Sequence, residues 1–246
     1  MPQENSSIDS LTASSTGSDT AVVICNGPSL ADVPNDWLSK FTTFGANRVF
    51  LKYSPDILTI LDLKMVHNKL LQKEAQVGAA KSKEVFLSEV AAERMGVPEN
   101  ATVLRWFNST DAEGNLLPHF SVNPPASTLI SGGTVTYGML QLAFWKGFRK
   151  ILIVGLNHTF RDPRGDHFTS EYNEQVRIPY ERENVVPGEY ESSPGKWFWS
   201  EDNFVRKTDF FYQAAKTVFE QHGGEIINCT PDTKCKVFRV DDWRNY

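Results

Sequence analysis

The chain has 246 residues, 40% hydrophobic and 22% charged, with a formal net charge of -5, a composition that describes a globular core and argues against a broad electrostatic grip on nucleic acid. No apolar run reaches the roughly 18 residues of a membrane-spanning helix, and the N-terminus lacks the basic-then-apolar order of a secretory signal. The cysteines Cys25, Cys229 and Cys235 are too few for a disulfide framework and fit a reducing, cytoplasmic setting.

Nine of the first twenty residues are Ser or Thr, so residues 1–20 are expected to be a disordered leader, with at most a helical turn around Ile8–Leu11. Residues 21–246 are expected to form a single domain. Ala21–Cys25 is a continuous apolar run that suits a strand buried on both faces. Thr42–Asn47, Ile57–Leu61, Glu84–Leu87 and Thr102–Trp106 read as further strands, and Met65–Ala80 as a helix. Gly133–Lys146 repeats apolar residues at helical spacing and leads into a strong strand, Lys150–Gly155. Asn157 to about Glu201 is long and rich in Pro and Gly, which predicts a lid or insertion. Thr208–His222 reads as a helix stopped by Gly223–Gly224, and Glu225–Asn228 as the last strand. Strands alternating with helices predict an α/β, doubly wound, mostly parallel sheet, whose ligand sits beyond the carboxyl ends of the strands.

That rule selects the polar residues at the strand tips. In Asn26-Gly27-Pro28-Ser29, the glycine allows close approach to a ligand, and the following helix would aim amides and its positive dipole end at an anion. The same turn also reads as an ordinary strand-to-helix connection with Ser29 as its cap. Asn47 and Arg48 offer an amide and a cation. Asp62 offers a carboxylate for a ribose hydroxyl or a metal, or a helix cap. Ser131-Gly132-Gly133 precedes a helix and is a second candidate for phosphate or hydroxyl groups. Asn157 and His158 follow the strongest strand, and Arg161 and His167 lie in the presumed lid. Histidine is the side chain suited to proton transfer near neutrality. The loop after Asn228, with Thr230, is a candidate wall. The Trp197-Phe198-Trp199 cluster reads as lid packing or as a stacking surface.

In order along the chain, Asn-Gly-Pro-Ser-Leu, Gly-x-Asn-Arg, Ser-Gly before a helix, an apolar strand into Gly-x-Asn-His, and a late Asn-x-Thr-Pro resemble the 6-hydroxymethylpterin diphosphokinase-like family. That family is similar in fold to the bacterial CMP-sialic-acid sialyltransferases and to the central domain of motility-accessory flagellin glycosyltransferases. The resemblance spans roughly residues 20–240 and implies that residues 21–246 are a single Rossmann-like, nucleotide-binding catalytic domain. It implies nucleotide contacts by Asn26, Gly27, Asn47 and Ser131, and a polar substrate contact by Asp62. The chain departs from the sialyltransferase pattern in two ways. Asn157-His158-Thr159-Phe160 has no tyrosine to support a leaving phosphate, and Trp197–Lys207 has no histidine to act as base. His167, with His158 behind it, is the substitute.

The expectation is therefore a glycosyltransferase-like enzyme using a nucleotide-activated sugar as co-substrate, with no tightly bound cofactor. Asn26, Gly27, Pro28, Ser29, Asn47, Arg48, Asp62, Ser131, Gly132, Gly133, Asn157 and Thr230 would bind the donor. His167 would act as base, and His158 or Arg161 would support the departing phosphate. The acceptor is a glycan, a protein or a modified base, and the composition is compatible with a homo-oligomer. The alternatives are a pyrophosphokinase holding magnesium through Asp62 and Asp166, and a nucleotide-binding domain without chemistry.

Overall fold

In the computed structural model the described residues are 19–62, 65–107, 109, 112, 117–123, 128–159, 167–172 and 201–246. The expected leader up to Ser18, Arg161, Asp166, the Trp197–Trp199 cluster and most of the expected lid lie outside them.

Nine parallel strands form one sheet: β1 (Thr20–Ile24), β2 (Thr42–Ala46), β3 (Ile57–Ile60), β4 (Glu84–Ser88), β5 (Ala101–Phe107), β6 (Thr128–Ile130), β7 (Lys150–Val154), β8 (Glu225–Asn228) and β9 (Arg239–Val240). Their spatial order is β6-β5-β4-β3-β2-β1-β7-β8-β9, with every pairing parallel. The chain thus winds outward from β1 in one direction and, after returning to β7, outward in the other. The switch falls between β1 and β7, where Val22 is in register with Leu152.

The period of two along β1 supplies both faces of the sheet. Ala21, Val23 and Cys25 pack into a core shared with α4 (Val135–Trp145) and α5 (Glu201–Gln221). Val22 and Ile24 enter the opposite core, which α1 (Asn35–Leu38), α2 (Lys69–Lys81) and α3 (Glu89–Met95) complete through Trp37, Ala75 and Met95. The fold is therefore a Rossmann-like α/β sandwich, as the alternating pattern predicts. Helix α4 is buried from Thr136 to Trp145 because the sheet covers one side and α5 another. Its N-cap is Thr134, whose hydroxyl accepts from the Tyr137 amide.

The structure corrects several boundaries. The stretch after β1 is a 3-10 turn, Pro28–Asp32, followed by the single turn α1. Pro34 separates the two and lacks the N–H that a continuous helix needs. Helix α5 begins at Glu201, a turn and more before Thr208. Helix α3, capped by the Ser88 hydroxyl on the Ala91 amide, and the short strands β6 and β9 have no counterpart in the expected elements.

Candidate functional site

The tips of β1 and β7 are locked together by two glycines. The Gly27 amide donates to Gly155 O at 2.9 Å, and the Cys25 amide to Val154 O at 2.8 Å. A side chain on Gly27 would strike Gly155 O and the Asn157 carboxamide, and one on Gly155, at φ +74, would strike Cys25 O. Close backbone approach does require glycine here, but the partner is the neighbouring strand tip.

The expected anion cradle at this turn is not formed. Pro28 has no amide hydrogen, the Ser29 amide donates to Asn157 Oδ1 at 3.1 Å, and the Leu30 amide to Gly27 O at 3.0 Å. Those amides are spent within the protein, and a five-residue 3-10 turn carries little of the macrodipole of a long helix. Ser29 Oγ also donates to Asn157 Oδ1 at 2.8 Å, so Ser29 fixes the β7 tip.

A cavity of about 550 Å³ opens beyond these tips. Cys25, Asn26 and Gly27 line it from β1, Asn47 from β2, Leu61 and Asp62 from β3, and Trp106 from β5. Ser131, Gly133 and Thr134–Thr136 close it from the start of α4, and Gly155–Thr159 from β7. His167 and Tyr172 line it from the 167–172 segment, and Tyr212 from α5. Asn26, Gly27, Asn47, Asp62, Ser131, Gly133, Asn157, His158 and His167, proposed on sequence grounds, therefore share one space.

Four others do not reach that wall. Pro28 and Ser29 are buried in the 3-10 turn. The position of a Gly132 side chain is filled by the Tyr137 ring. Thr230 is buried behind the β7 tip, where its hydroxyl accepts from the Leu156 amide at 2.9 Å. Next to it, Thr233 Oγ1 donates to Leu156 O at 2.6 Å, so the late loop acts as a brace.

Arg48 is also corrected: its cation is consumed internally. It is 2% exposed. Its Nε and Nη2 meet Glu74 Oε2 at 2.9 and 2.8 Å, and its Nη1 donates to Glu171 O and Tyr172 O at 3.0 and 2.8 Å. The guanidinium also sits 5.4 Å from the Tyr172 ring centroid. Arg48 thereby anchors the 167–172 segment, whose Phe168 amide donates to Asn26 O at 3.1 Å. His167 and Tyr172 stack at 4.0 Å with 14° between their planes.

Polar atoms within the cavity are not all satisfied. Asn26 Nδ2 donates to Ala46 O at 3.1 Å, which fixes the orientation of the amide. Its Oδ1, together with Asn47 Oδ1 and Thr159 Oγ1, is buried without a hydrogen-bond partner among the described residues. Asn47 and His158 adopt left-handed backbone, φ +56 and +57, an unusual conformation for residues with side chains, and both line the cavity. His158 is buried with Nε2 3.2 Å from Asp209 Oδ1 on α5. Burial lowers its pKa below the ordinary 6.5 while the Asp209 carboxylate pulls it back up. Burial pushes the Cys25 thiol up to about 12, and it pairs with Thr136 Oγ1 at 3.3 Å, so it is no nucleophile near neutrality.

Tyr172, Tyr212, Trp106 and Asp209 escape the sequence reading. Tyr212 and Asp209 sit in an amphipathic helix whose pattern explains them as ordinary positions. Trp106 lies one residue before the end of β5, and Tyr172 lies in a polar stretch without periodicity.

No protein-family model matches the chain, and no curated protein matches it. Among solved structures, the chain is similar to the monofunctional alpha-2,3-sialyltransferase Cst-I from Campylobacter jejuni, at 12% identity and a TM-score of 0.48, over 95% of this chain and 84% of that one. It is also similar to a tyrosine-to-phenylalanine variant of the sialyltransferase Cst-II in complex with CMP, at 11% identity and a TM-score of 0.45, over 89% of this chain and 84% of that one.

Proposed function

We propose that the chain is a glycosyltransferase-like enzyme that binds a nucleotide-activated sugar across the β1 and β7 tips and transfers the sugar to an acceptor hydroxyl. The observation that carries this reading is the cavity at the topological switch point, the place where doubly wound sheets bind nucleotides. Its volume suits a nucleotide-sized ligand, and its lining sets many polar side chains beside a smaller apolar part made by Leu61, Trp106, Val135 and Leu156.

The unsatisfied acceptors set the ligand's chemistry. Asn26 Oδ1 and Asn47 Oδ1 are buried oxygens that require hydrogens, and each left unpaired costs about 1–3 kcal/mol. A nucleoside supplies amino and hydroxyl donors there, whereas a bare phosphate would not. The resemblance read from the sequence places nucleotide contacts at these same two asparagines. Ser131 and Thr134, with Gly133 between them, form the second polar rim at the start of α4. His158 and His167 both line the cavity, and a histidine there is suited to take the proton of an acceptor hydroxyl.

Differential scanning fluorimetry of the full chain against nucleoside monophosphates and nucleotide sugars, with and without magnesium, tests the reading. A pyrimidine nucleotide or nucleotide sugar at 100 times its Kd would stabilise by about 2.7 kcal/mol without metal. N26A and N47A would each weaken that shift. Stabilisation by ATP only in the presence of magnesium would instead favour the pyrophosphokinase, with Asp62 as a ligand. No shift with any nucleotide would reject both.

A further inference from the structure

Trp106 is the largest apolar side chain on the cavity wall, and the fold makes a seat for it. It lies near the end of β5 and is half-buried. Its seat is Gly138, in the middle of α4, a helix buried along nearly its whole length. A Cβ on Gly138 would lie 3.0 Å from Trp106 Cζ3, 3.0 Å from Leu129 Cδ2 and 3.4 Å from Leu61 Cδ1. Glycine inside a helix is less favourable than alanine, so α4 is weakened at the position where the indole rests on it. The indole thus sets the edge of its larger ring against α4 while lining the cavity.

Polar groups flank this ring. The Ser131 amide donates to Phe107 O at 2.8 Å, which brings Ser131 to the tip of β5. Leu61, which packs beside the indole over Gly138, is followed by Asp62. Ser131 and Asp62 both line the cavity. A carboxylate has about four acceptor sites, so Asp62 can take further hydrogens besides the interaction it already has within the protein. Three strands separate β5 from β1, so this end of the cavity is distinct from the tip that carries Asn26. A pyranose ring matches the combination. Its face of C–H groups packs on an aromatic ring, and each hydroxyl on its edge can donate to a carboxylate. A nucleobase also stacks, but its edge carries carbonyl and ring-nitrogen acceptors, which a carboxylate opposes.

We infer that Trp106 is the stacking platform for a pyranose ring held at the β3–β5 end of the cavity, with Asp62 and Ser131 meeting its hydroxyls. The inference rests on the transferase reading for the nucleotide, and it deepens that reading by giving the sugar its own place. The ring belongs either to the donor's sugar or to a glycan acceptor, and the chemistry of the platform is the same for both.

The test is saturation-transfer NMR on the full-length protein with CMP, CMP-sialic acid, UDP-glucose, lactose and methyl glucoside, the last two with and without CMP. Ring C–H protons of at least one of these sugars are expected to saturate strongly. W106L is expected to weaken the Kd of that sugar about tenfold, and W106F, which keeps a smaller ring, about threefold. G138A, which displaces the indole without removing it, is expected to weaken it as well. Near-UV circular dichroism reports whether each variant folds, and W106F and G138A carry the test should W106L not fold. Saturation of the pyranose of a nucleotide sugar alone assigns the platform to the donor; saturation of lactose or methyl glucoside assigns it to a glycan acceptor. Absence of any saturated sugar proton in the wild type, or a sugar affinity that the Trp106 variants leave in place, overturns the inference. CMP binding with no sugar contact would reject the platform and leave the nucleotide site standing. Lactose binding through Trp106 with no nucleotide bound would reject the transferase reading and leave the platform standing.

Discussion

Replacing Gly27 with alanine tests how the site is built, since the new methyl would enter the joint between the β1 and β7 tips. It would lie against Gly155 O and 2.5 Å from Asn157 Oδ1. The first contact is backbone and has no easy retreat. The second is the oxygen that accepts from both the Ser29 amide and the Ser29 hydroxyl. Overpacking of this kind costs about 1–3 kcal/mol, and displacing Asn157 forfeits two hydrogen bonds of about 1 kcal/mol each. A loss near 3 kcal/mol is expected, or about 6–12 °C in Tm for a chain of this length. Urea unfolding would show a lower midpoint at an unchanged m-value. The decisive measurement is a double-mutant cycle with Asn157→Ala. Removing the Asn157 side chain clears one of the two clashes, so the double variant should be less destabilised than the sum of the singles by about 1 kcal/mol. Additivity within about 0.5 kcal/mol would refute the claim that Gly27 is required by Asn157.

Three further outcomes follow from the same structure. Arg48→Met strands Glu74 and the carbonyls of Glu171 and Tyr172, so it should cost about 3 kcal/mol and speed proteolysis within 167–172; R48K, a point charge that cannot fork, should recover less than half. Cys25 and Cys229 are buried, with thiols pushed up to about 12, so a thiol reagent at pH 8 should leave both unlabelled in the native protein and label all three cysteines after denaturation. His158 has a folded-state pKa below its unfolded 6.5, so the unfolded chain takes up the proton first and stability should fall as pH drops through that window. H158Q should flatten that slope, and an unchanged slope would assign it to other groups.

The sheet was readable because its central strands are short, continuous apolar runs, buried on both faces, that end at polar tips. Ile57–Leu61 and Glu225–Asn228 differ from the observed β3 and β8 by one residue at most. Strands β6 and β9 escaped because three and two residues carry no period, and Arg239 and Val240 are exposed. Asn26, Asn47, Ser131 and Asn157, selected by the one topological rule that ligands gather at strand tips, line the same cavity. The same rule could not tell an exposed tip from a spent one. Arg48 sits at a tip too, but Glu74 comes from a helix that no local pattern pairs with it. Likewise, nothing near His158 in the sequence announces Asp209, which only the packing of α5 brings across.

The central position of β1 has a consequence for how the protein is made. Its flank toward β2 is covered within a few dozen residues of synthesis, but the other waits for β7, since Ile24 finds its neighbour in Val154. Until that distant segment leaves the ribosome, the middle of the sheet is an open edge of apolar residues, the kind of surface that invites pairing with the wrong chain. Such long-range, all-parallel closure belongs to the slow end of folding, so yield in the cell should depend on translation speed and chaperone supply more than the stability of the finished molecule would suggest.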